Sequence, residues 1–289
     1  MATFKLMLAR FPGFCQEHPD STTWYAHTLL DACLHPQIGR ANVREMWVAD
    51  TPITMSRNRV CQEALKEGCD YLLMLDADMK PDYLVGEDPL AKPFFPTAWD
   101  FLMRHRHQPC CVAAPYCGPS PDQTVYVARW TDQNAGGPSL WPKLEAFSRD
   151  EAAHKTGFEE VGGLATGVML IDCRVLQGME RPASKQQEAG QWFDYEWSDP
   201  PANTKKATTE DYFFTRNARF FGFPQYVAWD CWAGHWKPQL VGKPSRIGAD
   251  AVSREIRGAI ARGLTPSTRI MEIRNGQHVP PGSVLKMGA

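Results

Sequence analysis

Residues 71–82, YLLMLDADMKPD, decide how this chain folds. A tyrosine and four aliphatic residues run without interruption into Asp76 and Asp78, and the chain then turns at Lys80, Pro81 and Asp82. A run apolar at every position, rather than at every second one, is the pattern of a strand buried on both faces, as in a parallel sheet covered by helices. Such a strand releases its carboxylates at its carboxyl end, where open α/β sheets bind ligands. Two aspartates on a tight loop are hard oxygen ligands suited to Mg or Mn, with a diphosphate completing the coordination. The same pair also fits an Asx turn that ends a strand, both side chains satisfied by backbone N–H groups.

The flanking sequence extends the α/β pattern upstream. TFKLMLAR (3–10) predicts a strand, 21–33 a helix with a Ser or Thr cap, NVREMWVAD (42–50) a strand ending on Asp50, and 56–68 a helix stopped by Gly68. Strand, helix, strand, helix, strand at short connections implies right-handed crossovers and a parallel, nucleotide-binding type of layer. Residues 81–139 are rich in Pro and Gly, with a helix near 98–106 and strands in CCVAAPY (110–116) and TVYVARW (124–130). FEEVGGLATGVMLIDCRVL (158–176) then predicts a strand, a glycine pair, a second strand and a helix start. TTEDYFFTRNARFFG (208–222) predicts a helix capped by Thr, with acids in its first turn and a terminal glycine. PQYVAWDCWAGHWKP (224–238) predicts a strand and a turn, 249–263 an amphipathic helix, and the last stretch an extended tail.

At 289 residues, 43% hydrophobic and 11% aromatic, with ten tryptophans, the chain has the composition of a packed enzyme or binding protein and is not a disordered one. The net charge of −2 conceals an asymmetry, because 237–289 carries nine Lys or Arg against three Asp or Glu. A basic end on an acidic body suggests an anionic ligand such as a phosphate group or nucleic acid, or simply a solvated basic tail. The nine cysteines form no CxxC pair and no signal segment precedes the first strand, which implies reduced thiols and a cytoplasmic protein. No apolar run reaches the length of a membrane span. RHRHQPCCVAAPYC (104–117) gathers His105, His107, Cys110, Cys111 and Cys117, which are zinc-type ligands, but the spacing matches no finger or ribbon and PCCVAAPY reads as a buried strand.

Taken in order and at their intervals, SRNRVCQEALKEGCDY (56–71) with LDAD (75–78), GGLATGVMLID (162–172), TTEDYFF (208–214) and DCWAGHWKP (230–238) resemble the glycosyltransferases of the GT-A fold, in particular the family-2-like bacterial and phage members. The resemblance covers about residues 1–240. It implies an α/β, Rossmann-type mixed but mostly parallel sheet flanked by helices. It also implies a nucleotide-binding half over 1–118, an acceptor half over 119–240, and a basic helical or extended extension over 241–289.

Carried over, Asp76 and Asp78 match the D-x-D motif and His235 the late histidine that completes a metal site. Lys237 would neutralise the diphosphate, Arg57 and Asn58 would face the nucleotide, and Asp50 would contact the base. Gly163, in GGLATG, would let backbone approach the donor sugar. Glu210 and Asp211 match an acidic pair in which the aspartate is the general base in inverting members. The implied activity is transfer of a sugar from a UDP- or GDP-type donor to a hydroxyl acceptor with Mn or Mg, in the cytoplasm of a bacterium or phage-infected host.

Each of these residues has a plainer role open to it. His235 fits packing among aromatics, Glu210 and Asp211 fit helix-start charges, Arg57 fits a surface position, and Trp192, Trp197, Trp232 and Trp236 fit the core as well as a stacking platform. The chain also departs from the family where LARFPGF (8–14) replaces the usual proline and asparagine after the first strand, leaving the nucleobase contacts and the stereochemical outcome open. A nucleotidyltransferase on a related fold would need a glycine-rich basic loop there, whereas ARFPGFCQEHPD (9–20) supplies one Gly and one Arg. A non-catalytic nucleotide- or sugar-binding module is a third class, which would bind a nucleotide without turnover. The acceptor is a glycan, a protein side chain, a small molecule or a modified phage DNA base, the last kept open by RHRH and the basic C-terminal segment.

Overall fold

The computed structural model describes residues 3–12, 18–49, 52–119, 123–131, 143–179, 190–197, 206–236 and 240–241. The first half holds β1 (Leu6–Phe11), α1 (Pro19–Leu34), β2 (Val43–Trp47), α2 (Ile53–Lys66), β3 (Tyr71–Asp76), β4 (Met79–Lys80), α3 (Phe94–Arg104) and β5 (Cys111–Ala113). The second holds β6 (Val127–Thr131), β7 (Lys143–Ala146), α4 (Arg149–Ala153), β8 (Phe158–Val161), β9 (Gly163–Leu164), β10 (Val168–Asp172), α5 (Cys173–Met179), β11 (Glu196–Trp197), β12 (Lys206–Thr208), α6 (Glu210–Phe220), β13 (Gln225–Ala228), β14 (Gly234–Trp236) and β15 (Leu240–Val241).

The fold is α/β. Its central sheet has the order β2-β1-β3-β10-β5-β13-β8, in which β2, β1, β3, β5 and β13 run one way and β10 and β8 the other. The predicted parallel unit is present: β1 pairs with β2 on one side and β3 on the other. The continuous apolar run of β3 has the expected cause. Leu72 and Met74 enter a core shared with Val60, Cys61 and Ala64 of α2, while Tyr71, Leu73 and Leu75 enter a second core with Trp24 of α1 and Trp99 of α3.

Helix boundaries shift from the predicted ones for local reasons. α1 starts at Pro19, whose missing N–H costs nothing in the first turn, and it is capped by His18, whose Nδ1 accepts from Asp20 N at 3.3 Å, instead of by Ser or Thr. α2 begins at Ile53 and ends before Gly68, whose φ of 65° only glycine adopts readily. Thr209 occupies the N-cap position of α6 but its side chain makes no capping bond. The 249–263 helix and nearly all of the basic extension lie outside the described residues. Among the described residues no helix is long and apolar enough to cross a membrane, and the eight cysteines are unpaired, seven of them buried.

A small ribbon and the start of β10 complete the carboxyl edge of the sheet. β14 pairs with β4 so that His235 stands opposite Met79, one residue beyond Asp78. β10 enters antiparallel beside β3, and the Gly167 carbonyl accepts from Asp76 N at 2.9 Å. Four segments distant in sequence therefore meet where β3 ends.

Candidate active site

Arg57 is the hub of this edge. It lies in the second turn of α2, is 2% exposed, and aims into the gap between β3 and the start of α6. Its Nη2 donates to Asp76 Oδ2 at 2.9 Å and Oδ1 at 3.2 Å; its Nη1 donates to Glu210 Oε1 at 2.9 Å and to Asp211 Oδ1. Burial opposes the guanidinium charge, but Asp211, then Asp76 and Glu210, outweigh it and hold the group protonated even more firmly than usual. A buried cation facing three carboxylates satisfies its own charge and leaves a surplus of negative charge in the site.

Asp211 is held from two sides. The Thr166 hydroxyl, at the end of GGLATG, also donates to its Oδ1. Both bonds fall on one oxygen, so Oδ2 has no hydrogen-bond partner among the described residues, while the side chain keeps 17% exposure. Burial is the largest influence on this carboxyl and pushes its pKa up to about 6; Arg57 opposes it, and the neighbouring Glu210 and Asp76 reinforce it.

Asp78 and His235 form a second pair, with Nε2 3.2 Å from Asp78 Oδ2. His235 Nδ1 lies 3.1 Å from the Cys117 carbonyl, so both ring nitrogens face acceptors, and the tautomer that satisfies the carbonyl carries its proton on Nδ1. In the neutral ring two lone pairs then face each other across 3.2 Å, an arrangement that a cation or a second proton relieves. Backbone fixes the pair: Trp236 N donates to Asp78 O at 2.7 Å. The Trp236 ring is stacked on His18 at 3.7 Å, and His18 N in turn donates to Ala77 O at 3.3 Å.

The predicted three-ligand set of Asp76, Asp78 and His235 is not assembled. Asp76 turns to Arg57, and among the described residues no group of three or more His, Cys, Asp or Glu converges on one point. The remaining Asp78–His235 pair suits a divalent cation whose other ligands come from a substrate: one carboxylate oxygen, one imidazole nitrogen, and a carbonyl behind the ring to fix its tautomer.

Other expected residues are occupied elsewhere. Asn58 is engaged within the fold: its Oδ1 accepts from Trp192 N and Phe193 N at 2.8 and 2.9 Å, and its amide donates to Phe193 O at 2.7 Å, clamping that segment to α2. Gly163 is required by packing, since a Cβ there would stand 2.9 Å from the Tyr212 ring and 3.1 Å from Leu144. The glycine of the motif that reaches the site is Gly167, beside Asp76. Arg57 is buried and is not a surface residue. Asp50 and Lys237 lie outside the described residues. Trp192 and Trp232 are core, as are Cys110, Cys111 and Cys117. His105 Nδ1 meets its own helix at Phe101 O, 2.8 Å away.

Thr166 and Gly167 belong to the GGLATG segment expected at the site, but the sequence singles out neither one, although the strand start that follows them marks the sheet's carboxyl edge.

No protein-family profile and no curated protein sequence matches the chain. Among solved structures it is similar to A197 from STIV, at TM-score 0.46 and 15% identity over 85% of this chain and 96% of that one. It is also similar to GalNAc-T7, solved with UDP, GalNAc and Mn2+, at TM-score 0.45 and 11% identity, covering 87% of this chain but only 48% of that one. A UDP-glucose pyrophosphorylase complexed with UDP-glucose follows at TM-score 0.42 and 8% identity, over 89% and 100%.

Proposed function

We propose that the chain is a glycosyltransferase that moves a sugar from a nucleotide-diphosphate donor to a hydroxyl acceptor, with Asp78 and His235 holding a divalent cation and Asp211 as general base. The observation that carries this is the asymmetric anchoring of Asp211: Oδ1 is fixed by Arg57 and Thr166 while Oδ2 is left for a ligand. A carboxylate so held, with its pKa pushed up to about 6, is ionised at neutral pH yet more basic than an ordinary aspartate.

At Oδ2, Asp211 accepts the proton of the acceptor hydroxyl as that oxygen attacks the anomeric carbon. The carbon–oxygen bond to the diphosphate breaks, and its electron pair leaves with the phosphate. Because the base acts on the acceptor in a single displacement, configuration at the anomeric carbon inverts. Arg57 keeps Asp211, Glu210 and Asp76 in register without touching the reacting atoms. A divalent cation bound at Asp78 and His235 would supply electrostatic stabilisation of the diphosphate's charge.

The test is thermal unfolding with UDP, GDP, CDP and dTDP, each with manganese and with chelator, followed by release of the nucleoside diphosphate from the matching nucleotide sugar. Stabilisation by one nucleotide only with metal, lost in Asp78→Ala, and turnover lost in Asp211→Asn are expected. Absence of any metal-linked shift in the native chain would overturn the proposal. Binding without turnover on any nucleotide sugar or acceptor would instead mark a binding module.

A further inference from the structure

Tyr116 stands at the carboxyl end of the sheet, three residues beyond β5, and is 5% exposed. Its backbone is pinned on both sides: Tyr126 N donates to Tyr116 O at 3.1 Å, and Ala233 N to Pro115 O at 3.0 Å. The ring meets His235 edge-on at 5.1 Å and Tyr126 at 5.4 Å. Its hydroxyl lies over Gly167, where a Cβ would come within 2.8 Å of Oη. Gly167 is the residue bonded to Asp76, and the adjoining Thr166 is bonded to Asp211. The phenol therefore reaches the junction between the Asp78–His235 pair and the base.

The hydroxyl does nothing for the fold. It makes no hydrogen bond among the described residues, and it lies beside Gly167, between the residues that hold Asp76 and Asp211. Phenylalanine would fill the same space without the desolvation cost of an unpaired polar group. Near it stand acceptors, Asp76, Asp78 and Asp211, while the terminal nitrogens of Arg57 are committed to Asp76, Asp211 and Glu210.

We propose that Tyr116 donates a hydrogen bond to the diphosphate of the bound donor, on the phosphate beside the Asp78–His235 pair. Its edge contact with His235 places it next to the group that would hold the cation, and a phosphate oxygen in a carboxylate-rich pocket needs such a donor. This rests on the nucleotide-sugar function proposed above.

The test compares native chain and Tyr116→Phe in manganese with whichever of UDP, GDP, CDP and dTDP stabilises the native chain, and with the matching monophosphate. The expected result is about tenfold weaker diphosphate binding, unchanged monophosphate binding, and a ligand-free melting temperature equal to or above native. Gly167→Ala, which displaces the phenol, is a second variant expected to show the same selective loss. Diphosphate affinity within twofold of native in Tyr116→Phe, or equal losses for mono- and diphosphate, would overturn the role of Tyr116 while leaving the donor site standing. A native chain with no metal-linked binding would instead overturn the function itself, and this contact with it.

Discussion

Arg57 Nη2 lies 2.9 Å from Asp76 Oδ2, so the first aspartate of the LDAD loop is an ion-pair partner and the second, Asp78, pairs with His235. This separates two carboxylates that stand one residue apart in sequence, and it predicts that they respond differently to substitution.

Asp78→Ala and His235→Ala are each expected to abolish manganese-linked stabilisation by a nucleotide; the ligand-free melting temperature should change little in Asp78→Ala, whose side chain keeps 35% exposure, and fall in His235→Ala, whose ring is buried against Tyr116. Asp76→Asn is expected to retain the metal-linked shift. Thermal unfolding of the three variants with nucleotide, with and without chelator, checks the contrast, and loss of the shift in Asp76→Asn would return Asp76 to the metal site.

Replacing Arg57 with Met leaves Asp76, Glu210 and Asp211 clustered without their common cation. We expect a loss of about 3–5 kcal/mol at pH 7, because removing one partner strands buried charge. The deficit relative to the native chain should shrink towards pH 5 as the carboxylates take up protons. Denaturant unfolding at the two pH values measures it, and a deficit independent of pH would assign the loss to packing.

Asp211 sets a pH dependence of its own. Its folded pKa of about 6 is raised above the unfolded value of about 4, so folding favours the protonated form. The unfavourable contribution is absent below about pH 4, grows between about pH 4 and 6, and is complete above. Native stability should therefore fall relative to Asp211→Asn across that window as pH rises. Turnover should show the opposite limb, falling about tenfold per unit below pH 6, and Asp211→Asn should lower kcat by about 10²–10⁴-fold. Paired unfolding and rate profiles from pH 4 to 8 test both signs.

Gly163→Ala separates packing from ligand approach. The new methyl meets Tyr212 and Leu144 at about 3 Å, so a loss of about 1–3 kcal/mol in stability is expected with nucleotide affinity unchanged. Weaker nucleotide binding without loss of stability would restore the glycine's expected place beside the donor sugar.

The site was legible where chemistry and local pattern coincide. Asp78 follows from a local signal, an acidic loop after an apolar strand, whereas His235, Glu210 and Asp211 are singled out by the resemblance of DCWAGHWKP and TTEDYFF to blocks of the GT-A glycosyltransferases. Their pairing was not legible, since His235 reaches Asp78 only through the β4–β14 ribbon, 157 residues away in sequence. Asn58 and Gly163, expected at the ligand site, make contacts that depend on what lies across the fold, Asn58 bonding Trp192 and Phe193 and Gly163 packing under Tyr212 and Leu144.

By itself the sequence determined the parallel β1–β2–β3 unit, the burial of β3 on both faces and the delivery of carboxylates to its carboxyl end, because hydrophobic periodicity and glycine stops act within a few residues. Only the tertiary structure decided that Arg57 is buried, that it claims Asp76, Glu210 and Asp211, and that Tyr116 stands above Gly167. Those contacts join α2, β3, β5, β10 and α6 through charge and shape across the sheet, and no segment carries them alone.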